Sequence, residues 1–318
     1  MKSWTGLHHH VWRHLKKIPG GLVSGTSPEA RPLLLCVSGG ADSIALFQVF
    51  KDLPVKFEIF HAHHGPSPNQ DLLAYRDQAA TGVQTLAKQA GVPFHFVKSS
   101  ERLTSEKSLR DFRWAFLKSW HLKNPRGLIV TAHHSEDLLE TRILRLIRGT
   151  GPQGLVAMPV WKSPFFRPFL DVSCEELRTF LNEIGASWCE DPSNQDPAYL
   201  RNWLRGTWLP QLERRRPGSL KRWAQTLESL ASQVRPERLR HELRIAEYRS
   251  LSEPQQLAAL ANLLKSQGVL DFSLGQLREV QKRLDSPQRH LTFKMAKAQW
   301  SVNAERIAVS RLLSPSKT

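Results

Sequence analysis

Leu33-Leu34-Leu35-Cys36-Val37-Ser38-Gly39-Gly40-Ala41-Asp42-Ser43-Ile44-Ala45-Leu46-Phe47 is the stretch whose reading decides the fold. Five apolar residues in succession, bounded by Pro32 and a Ser-Gly-Gly break, predict a strand covered on both faces. The glycines permit tight or positive-φ backbone, and Asp42 or Ser43 can cap the helix that continues through Ile44 to Phe50. Such a turn aims several backbone N–H groups and the positive end of a helix dipole at one point. It therefore predicts a phosphate-binding loop over Ser38, Gly39, Gly40, Ala41, Asp42 and Ser43.

Outward from that turn, strand and helix alternate. Residues 55–60 have the period of a strand and end in His61-Ala62-His63-His64-Gly65. A long helix over 71–90 is closed by Gly91, and 93–97 is a third strand. The helix over 108–123 puts Leu109, Phe112, Phe116 and Leu117 on one face and Arg110 and Arg113 on the other. Residues 128–132 form a fourth strand running into His133-His134-Ser135-Glu136-Asp137. The helix from about 137 to 148 carries the apolar stripe Leu139, Ile143, Leu146 and Ile147. This alternation predicts an α/β fold with a doubly wound parallel sheet, whose ligands sit beyond the carboxyl ends of the strands. The loops at 38–43, 61–65 and 133–137 should gather on that edge.

Beyond it, 159–168 reads as irregular, 173–184 as an amphipathic helix, 190–197 as a polar turn and 199–212 as a helix carrying Arg201, Asn202 and Arg205. Arg214-Arg215-Arg216-Pro217-Gly218 is charged and helix-breaking, which places a domain boundary there. The expected organisation is a basic N-terminal arm over 1–30, a catalytic domain over 31–215, and a smaller, mainly helical basic domain over 216–318. In the last part helices are expected over 219–249, 253–267 and 274–284, then a hairpin over 298–309.

Charge narrows the partners. The formal net charge is +16; residues 211–318 hold 20 Lys and Arg against 10 Asp and Glu, a net of +10, which leaves +6 for the rest. A polyanion such as RNA suits the last third, with Arg201, Arg214, Arg215 and Arg216 as candidate contacts. No apolar run is long enough for a transmembrane helix, so no membrane partner is expected. Cys36, Cys174 and Cys189 make no C-x-x-C pair and no disulfide framework, which fits a reducing, cytoplasmic setting.

The motif content is more specific. There is no G-x-x-x-x-G-K-[ST], and Ser38 to Ser43 does not fit G-x-G-x-x-G. The turn instead resembles the S-G-G-x-D-S loop of the PP-loop ATP pyrophosphatases, which cleave ATP to AMP and pyrophosphate. Asp42 beside pyrophosphate implies a bridging Mg²⁺. Within that superfamily the chain resembles the tRNA(Ile)-lysidine synthetase family, in its short form. His61 to Gly65 is similar to the family's second-strand motif, and Ala132 to Thr141 to its A-H-H-x-D-D-x-x-E-T. Arg145 to Gly151 is similar to R-x-x-R-G-x-G, and Glu190 to Asn194 with Arg201, Asn202 and Arg205 to E-D-P-S-N and R-N-x-x-R. Glu136 stands in place of the first aspartate of the pair, and Pro66 follows Gly65 where an aliphatic residue is usual.

The resemblance implies adenylation of the wobble cytidine of the isoleucine tRNA with anticodon CAU, followed by displacement of AMP by the ε-amine of free lysine. Asp42, Asp137, Glu140, Arg113, Arg205 and His64 are then the candidate catalytic residues, with Asp42 and Asp137 as Mg²⁺ ligands. Asp137 and Glu140, three apart on one helical face, are candidates for lysine, whose ammonium a carboxylate would hold and deprotonate, or for Mg²⁺. The amides of Gly39 and Gly40 would hold departing pyrophosphate. A homodimer is left open. Two competing readings are a PP-loop tRNA thiolase, disfavoured by the missing C-x-x-C, and a non-catalytic RNA-binding protein, disfavoured by the intact acidic set.

Overall fold

The computed structural model describes residues 4–18, 31–196, 198–234, 240–269, 272–285 and 290–312. The chain divides into two compact units: residues 1–141 with 158–222, and residues 142–157 with 223–318.

The first unit is built on the quoted stretch. Leu33–Cys36 is β1 and Ala41–Asp52 is α2, preceded in the chain by α1 (Gly6–Lys16). There follow β2 (Glu58–His63), α3 (Gln70–Ala90), β3 (Phe94–Lys98), α4 (Glu106–Lys123), β4 (Leu128–Val130) and α5 (Ser135–Ile147). After a short α6 (Pro152–Leu155) come β5 (Trp161–Lys162), β6 (Phe165–Phe166) and α7 (Cys174–Glu183). The sheet order is β3-β2-β1-β4-β6-β5, parallel except for the terminal β5–β6 pair. The stretch expected to be irregular, 159–168, thus extends the sheet, because Phe165 and Phe166 pair with Ile129 and Val130.

Alternate side chains feed two cores, which is why the strand is apolar throughout. Leu33 and Leu35 pack with Ile59, Leu128 and Val130 on one face, against Phe47, Phe50 and Phe180. Leu34, Phe60 and Ile129 pack on the other, against Leu117 and Trp120 of α4. The chain works outward from β1 to β2 and β3, then returns to the other side of β1 as β4. The resulting switch point lies between the ends of β1 and β4.

The expected N-terminal arm is corrected over its described residues. Residues 4–18 are not loose: α1 turns Val11, Leu15 and Ile18 into the main core, each at most 4 % exposed. The apolar face of this basic helix was masked by its charges and histidines. Residues 1–3 and 19–30 lie outside the described residues.

After the 3₁₀ turn Pro192–Gln195, the predicted helix over 199–212 is present without interruption as α8 (Leu200–Trp203), a π-helical turn (Leu204–Trp208) and α9 (Leu209–Arg215). Then α10 (Ser219–Ser232) carries the chain into the second unit. Two carboxylate oxygens of Glu213 accept hydrogen bonds from the Gly218 and Leu220 amides, which caps the start of α10. The second unit holds β7 (Glu242–Arg244), α11 (Ile245–Ser250), α12 (Glu253–Ser266), α13 (Leu274–Leu284), β8 (Leu291–Met295), β9 (Ala298–Val302) and β10 (Arg306–Arg311). The helix expected over 219–249 therefore ends at Ser232, and 235–239 lie outside the described residues. The expected hairpin is β9–β10, part of an antiparallel sheet β7-β10-β9-β8 that the mainly helical expectation did not include. Its β8–β9 turn uses Ala296 and Lys297, both at positive φ, and its core centres on Trp300, fully buried against Phe293.

Candidate active site

The phosphate loop is closed by a hydroxyl. Ser43 Oγ accepts hydrogen bonds from the Ser38 and Gly39 amides at 3.1 Å each and donates to the Gly40 carbonyl at 2.8 Å. This corrects the expectation that the Gly39 and Gly40 amides stand ready for pyrophosphate, since Gly39 N–H is taken and Gly40 N–H leans on Ser38 Oγ at 3.4 Å. The donors left for an anion are the first amides of α2, from Ala41 onward, which have no partner within the helix. Gly39 sits at φ +96°, and a Cβ there would lie 2.9 Å from Ala79 Cβ. Gly39→Ala is expected to cost about 1–3 kcal/mol of stability and to open the loop. Thermal unfolding and equilibrium ATP binding would both record it.

Asp42, in the first turn of α2, faces the start of α5. Its Oδ2 lies 3.6 Å from His134 Nε2, and Asp137 Oδ2 lies 3.5 Å from the same nitrogen. Glu136 orients the ring, its Oε2 2.8 Å from His134 Nδ1, and that oxygen also accepts from Ser135 Oγ and the Cys174 amide. Burial pushes the Asp42 pKa up; His134 opposes and Asp137 adds to the rise. For His134 burial alone would lower the pKa, but Glu136, Asp137 and Asp42 carry it above the usual value. Cys174 Sγ completes the group, 3.9 Å from Asp42 Oδ1.

On the next turn of α5, Arg205 bridges the two other carboxylates. Its Nη2 donates to Asp137 Oδ1 at 2.7 Å and to Glu140 Oε2 at 2.8 Å, and its Nε to Glu140 Oε1 at 2.6 Å. Glu140 is 1 % exposed in its side chain and Arg205 40 %. Arg205 is held firmly in its charged form by the two carboxylates despite burial. Burial works against the charge of Asp137, but His134, His133 and Arg205 overcome it and hold its pKa low. The shared arginine reaches Asp137 and Glu140 from one side of α5. Arg205 reaches them from the π-helical turn, a wide turn frequent at functional sites.

The remaining expected residues divide. Arg201 was expected to face RNA, but its Nη2 donates to Thr141 Oγ1 at 3.0 Å and its Nε lies 3.8 Å from Glu140, so it braces the carboxylate pair instead. Arg214, Arg215 and Arg216 are exposed. Arg113 lies within electrostatic reach of Cys36 and His64, at the ends of β1 and β2. Burial, reinforced by Arg113 and Arg76, lowers the His64 pKa to about 3, and its buried Nδ1 has no hydrogen-bond partner among the described residues. A neutral imidazole with one unused nitrogen is available to a ligand.

Three contributors were missed from sequence. Cys174 and Glu136 meet Asp42 and His134 through the fold, and Cys174 lies 132 residues from Asp42. The third is the role of Ser43 as the closing hydroxyl. Its place in the loop was the one local signal. None of the thiols is activated: burial raises Cys36 to about 12, Cys174 to about 11, and Cys189 above its usual value.

The PP-loop domain family matches residues 7–212, a span that takes in α1 and ends beyond Arg205. The tRNA(Ile)-lysidine synthase of Bdellovibrio bacteriovorus is 39 % identical over 323 aligned residues, which cover 97 % of this chain and 98 % of that protein. The chain belongs to the tRNA(Ile)-lysidine synthase family. It is thus an enzyme of the PP-loop ATP pyrophosphatase kind. Longer family members match in part: the Streptococcus pyogenes synthase is 35 % identical over 63 % of this chain and 45 % of its own length. The U34-tRNA thiolase NcsA from Methanococcus maripaludis, with its [4Fe-4S] cluster, is 12 % identical over 73 % of this chain and 80 % of its own, with a TM-score of 0.55. That likeness shows the shared fold alone.

Proposed function

We propose that the enzyme adenylates the 2-keto oxygen of the wobble cytidine in the isoleucine tRNA with anticodon CAU, releases pyrophosphate, and then transfers free lysine through its ε-amine with loss of AMP. The observation that carries this reading is the carboxylate pair Asp137–Glu140 held by one arginine beside Asp42, at the switch point where the phosphate loop opens.

The first amides of α2 receive the phosphates, and Ser43 keeps the loop in shape for them. The residues around Asp42 fit a Mg²⁺ ion. Its half-buried carboxylate lies 3.9 Å from a thiol and 3.6 Å from an imidazole, and burial raises its pKa. Hard oxygen donors suit that ion. Asp42 would hold it, with Asp137 second, since one Asp137 oxygen is already committed to Arg205. When bound, the ion offsets the repulsion between Asp42 and the phosphates of ATP. Neutral His64 hydrogen-bonds to the nucleotide through its free nitrogen, and Arg113 offers positive charge where the adenylate forms. In the second step Asp137 and Glu140, with both Glu140 oxygens and one Asp137 oxygen held by Arg205, supply the negative charge that draws the lysine ammonium to the site, where an amine of pKa about 10.4 must lose a proton before it attacks.

Incubation with ATP, labelled lysine and the CAU-anticodon tRNA, followed by mass analysis of the nucleosides, tests this. Lysidine in a lysine- and ATP-dependent yield is expected, and a sulfur-containing nucleoside or an unmodified cytidine would overturn the reading. The basic last third should supply much of the tRNA affinity through counterion release. Alanine at Arg214, Arg215 and Arg216 together is expected to reduce the slope of log affinity against log salt by roughly 2–3. Filter binding at several salt concentrations measures it.

A further inference from the structure

We propose that His10, His14 and Asp171 form a site for a divalent transition-metal ion of the zinc class, separate from the active site, which clips α1 to the segment leading into α7. His10 and His14 stand four apart and share one face of α1, with ring centroids 4.7 Å apart. Asp171 arrives from 161 residues beyond His10 and turns one oxygen to each ring. Its Oδ1 is 3.0 Å from His10 Nε2, and its Oδ2 is 3.5 Å from His14 Nε2. Donor atoms on a tetrahedral zinc ion, at bond lengths near 2.0–2.1 Å, lie about 3.4 Å apart, so the two gaps bracket the edge of that polyhedron. All three donor atoms fall within 4.8 Å of one another.

The donor set points the same way. Two imidazoles and a carboxylate favour zinc or a neighbouring transition metal over Mg²⁺, and suit three protein ligands with a fourth position for water. The rings are about four-fifths buried, at 22 % and 19 % exposed, whereas Asp171 is 56 % exposed and leaves a solvent side for that water. The Pro168 carbonyl, 3.1 Å from His10 Nε2, accepts a hydrogen bond from that nitrogen and fixes the ring's orientation. His14 approaches Asp171 at the limit of hydrogen-bond range, a longer contact than that of His10. On loading, the His10 Nε2 proton moves to Nδ1 or to solvent, and the lone pair turns to the ion.

The test uses the full chain stripped with EDTA and kept in excess Mg²⁺, titrated with Zn²⁺ by calorimetry and with Co²⁺ by its visible bands. Wild type is expected to bind one equivalent and to unfold at a higher temperature with Zn²⁺ than in EDTA. His14→Ala and the near-isosteric Asp171→Asn are each expected to lose the binding and the thermal shift, each compared with itself in EDTA. His9→Ala, at the exposed neighbour, should keep both. Absence of stoichiometric binding to wild type would overturn the proposal. So would binding that survives His14→Ala and Asp171→Asn, which would place the ion on the His8–His10 run or beside Asp42 and Cys174.

Discussion

Asp42→Asn is expected to cut tRNA-stimulated pyrophosphate release by about 10³-fold, while tRNA affinity stays within a factor of about two. The change removes a charge and nothing else. Asparagine keeps the shape beside Cys174 and His134, so the start of α2 and the Ser43 closure should persist. What is lost is the anion nearest the phosphate loop, and with it the means to hold a cation there. Because burial and Asp137 raise the pKa of Asp42, acidification protonates it earlier than an exposed aspartate. Protons therefore compete with Mg²⁺ for Asp42 as pH drops, so the Mg²⁺ concentration for half-maximal wild-type adenylation should rise on acidification, and that of Asp42→Asn should not. Unchanged pyrophosphate release in the mutant would remove Asp42 from the reaction.

Arg205→Ala is expected to act on stability and activity together. It strands Glu140, 1 % exposed, without its two hydrogen bonds, and takes one from Asp137. Breaking a buried pair costs about 3–5 kcal/mol, and the 40 % exposure of Arg205 admits water and brings the expected loss to the lower end, about 3 kcal/mol. Glu140→Gln alone should cost less, because Arg205 keeps Asp137. The double variant should regain part of the stability lost in Arg205→Ala, since no buried charge is left bare, yet form no lysidine. Urea unfolding gives the first result and single-turnover lysine transfer the second. Equal instability of Arg205→Ala and the double variant would show that Glu140 does not depend on its arginine.

The sheet was legible because β1 and β4 are apolar on both faces, and a strand of that kind admits one environment. The Ser38 to Ser43 turn was legible because each residue answers a backbone need. The gathering of Asp42, Asp137 and Glu140 followed from the switch-point rule. What escaped has a common physical cause. Phe165 and Phe166 form a strand of two residues, too short for any period to show. The core face of α1 hides among basic residues, and Arg201 looks solvated until Thr141 and Glu140 are placed beside it. Cys174 reaches Asp42 through tertiary structure alone. The small sheet of β7 to β10 was half seen, since its strands are short and alternate weakly.

The π-helical turn that carries Arg205 has an implication for chain length. Such a turn is an α-helix with one residue too many, and Gly206, whose side without a Cβ meets no neighbour, is the residue that can be spared. Deleting Gly206 should turn Leu209, Pro210 and Leu212 by about 100° about the helix axis relative to Arg201 and Arg205. The protein would then have to choose between keeping its arginine on the carboxylates and keeping Leu209 in its buried seat. Members of the family should accordingly tolerate insertions and deletions in the loops on either side of this segment far better than within it.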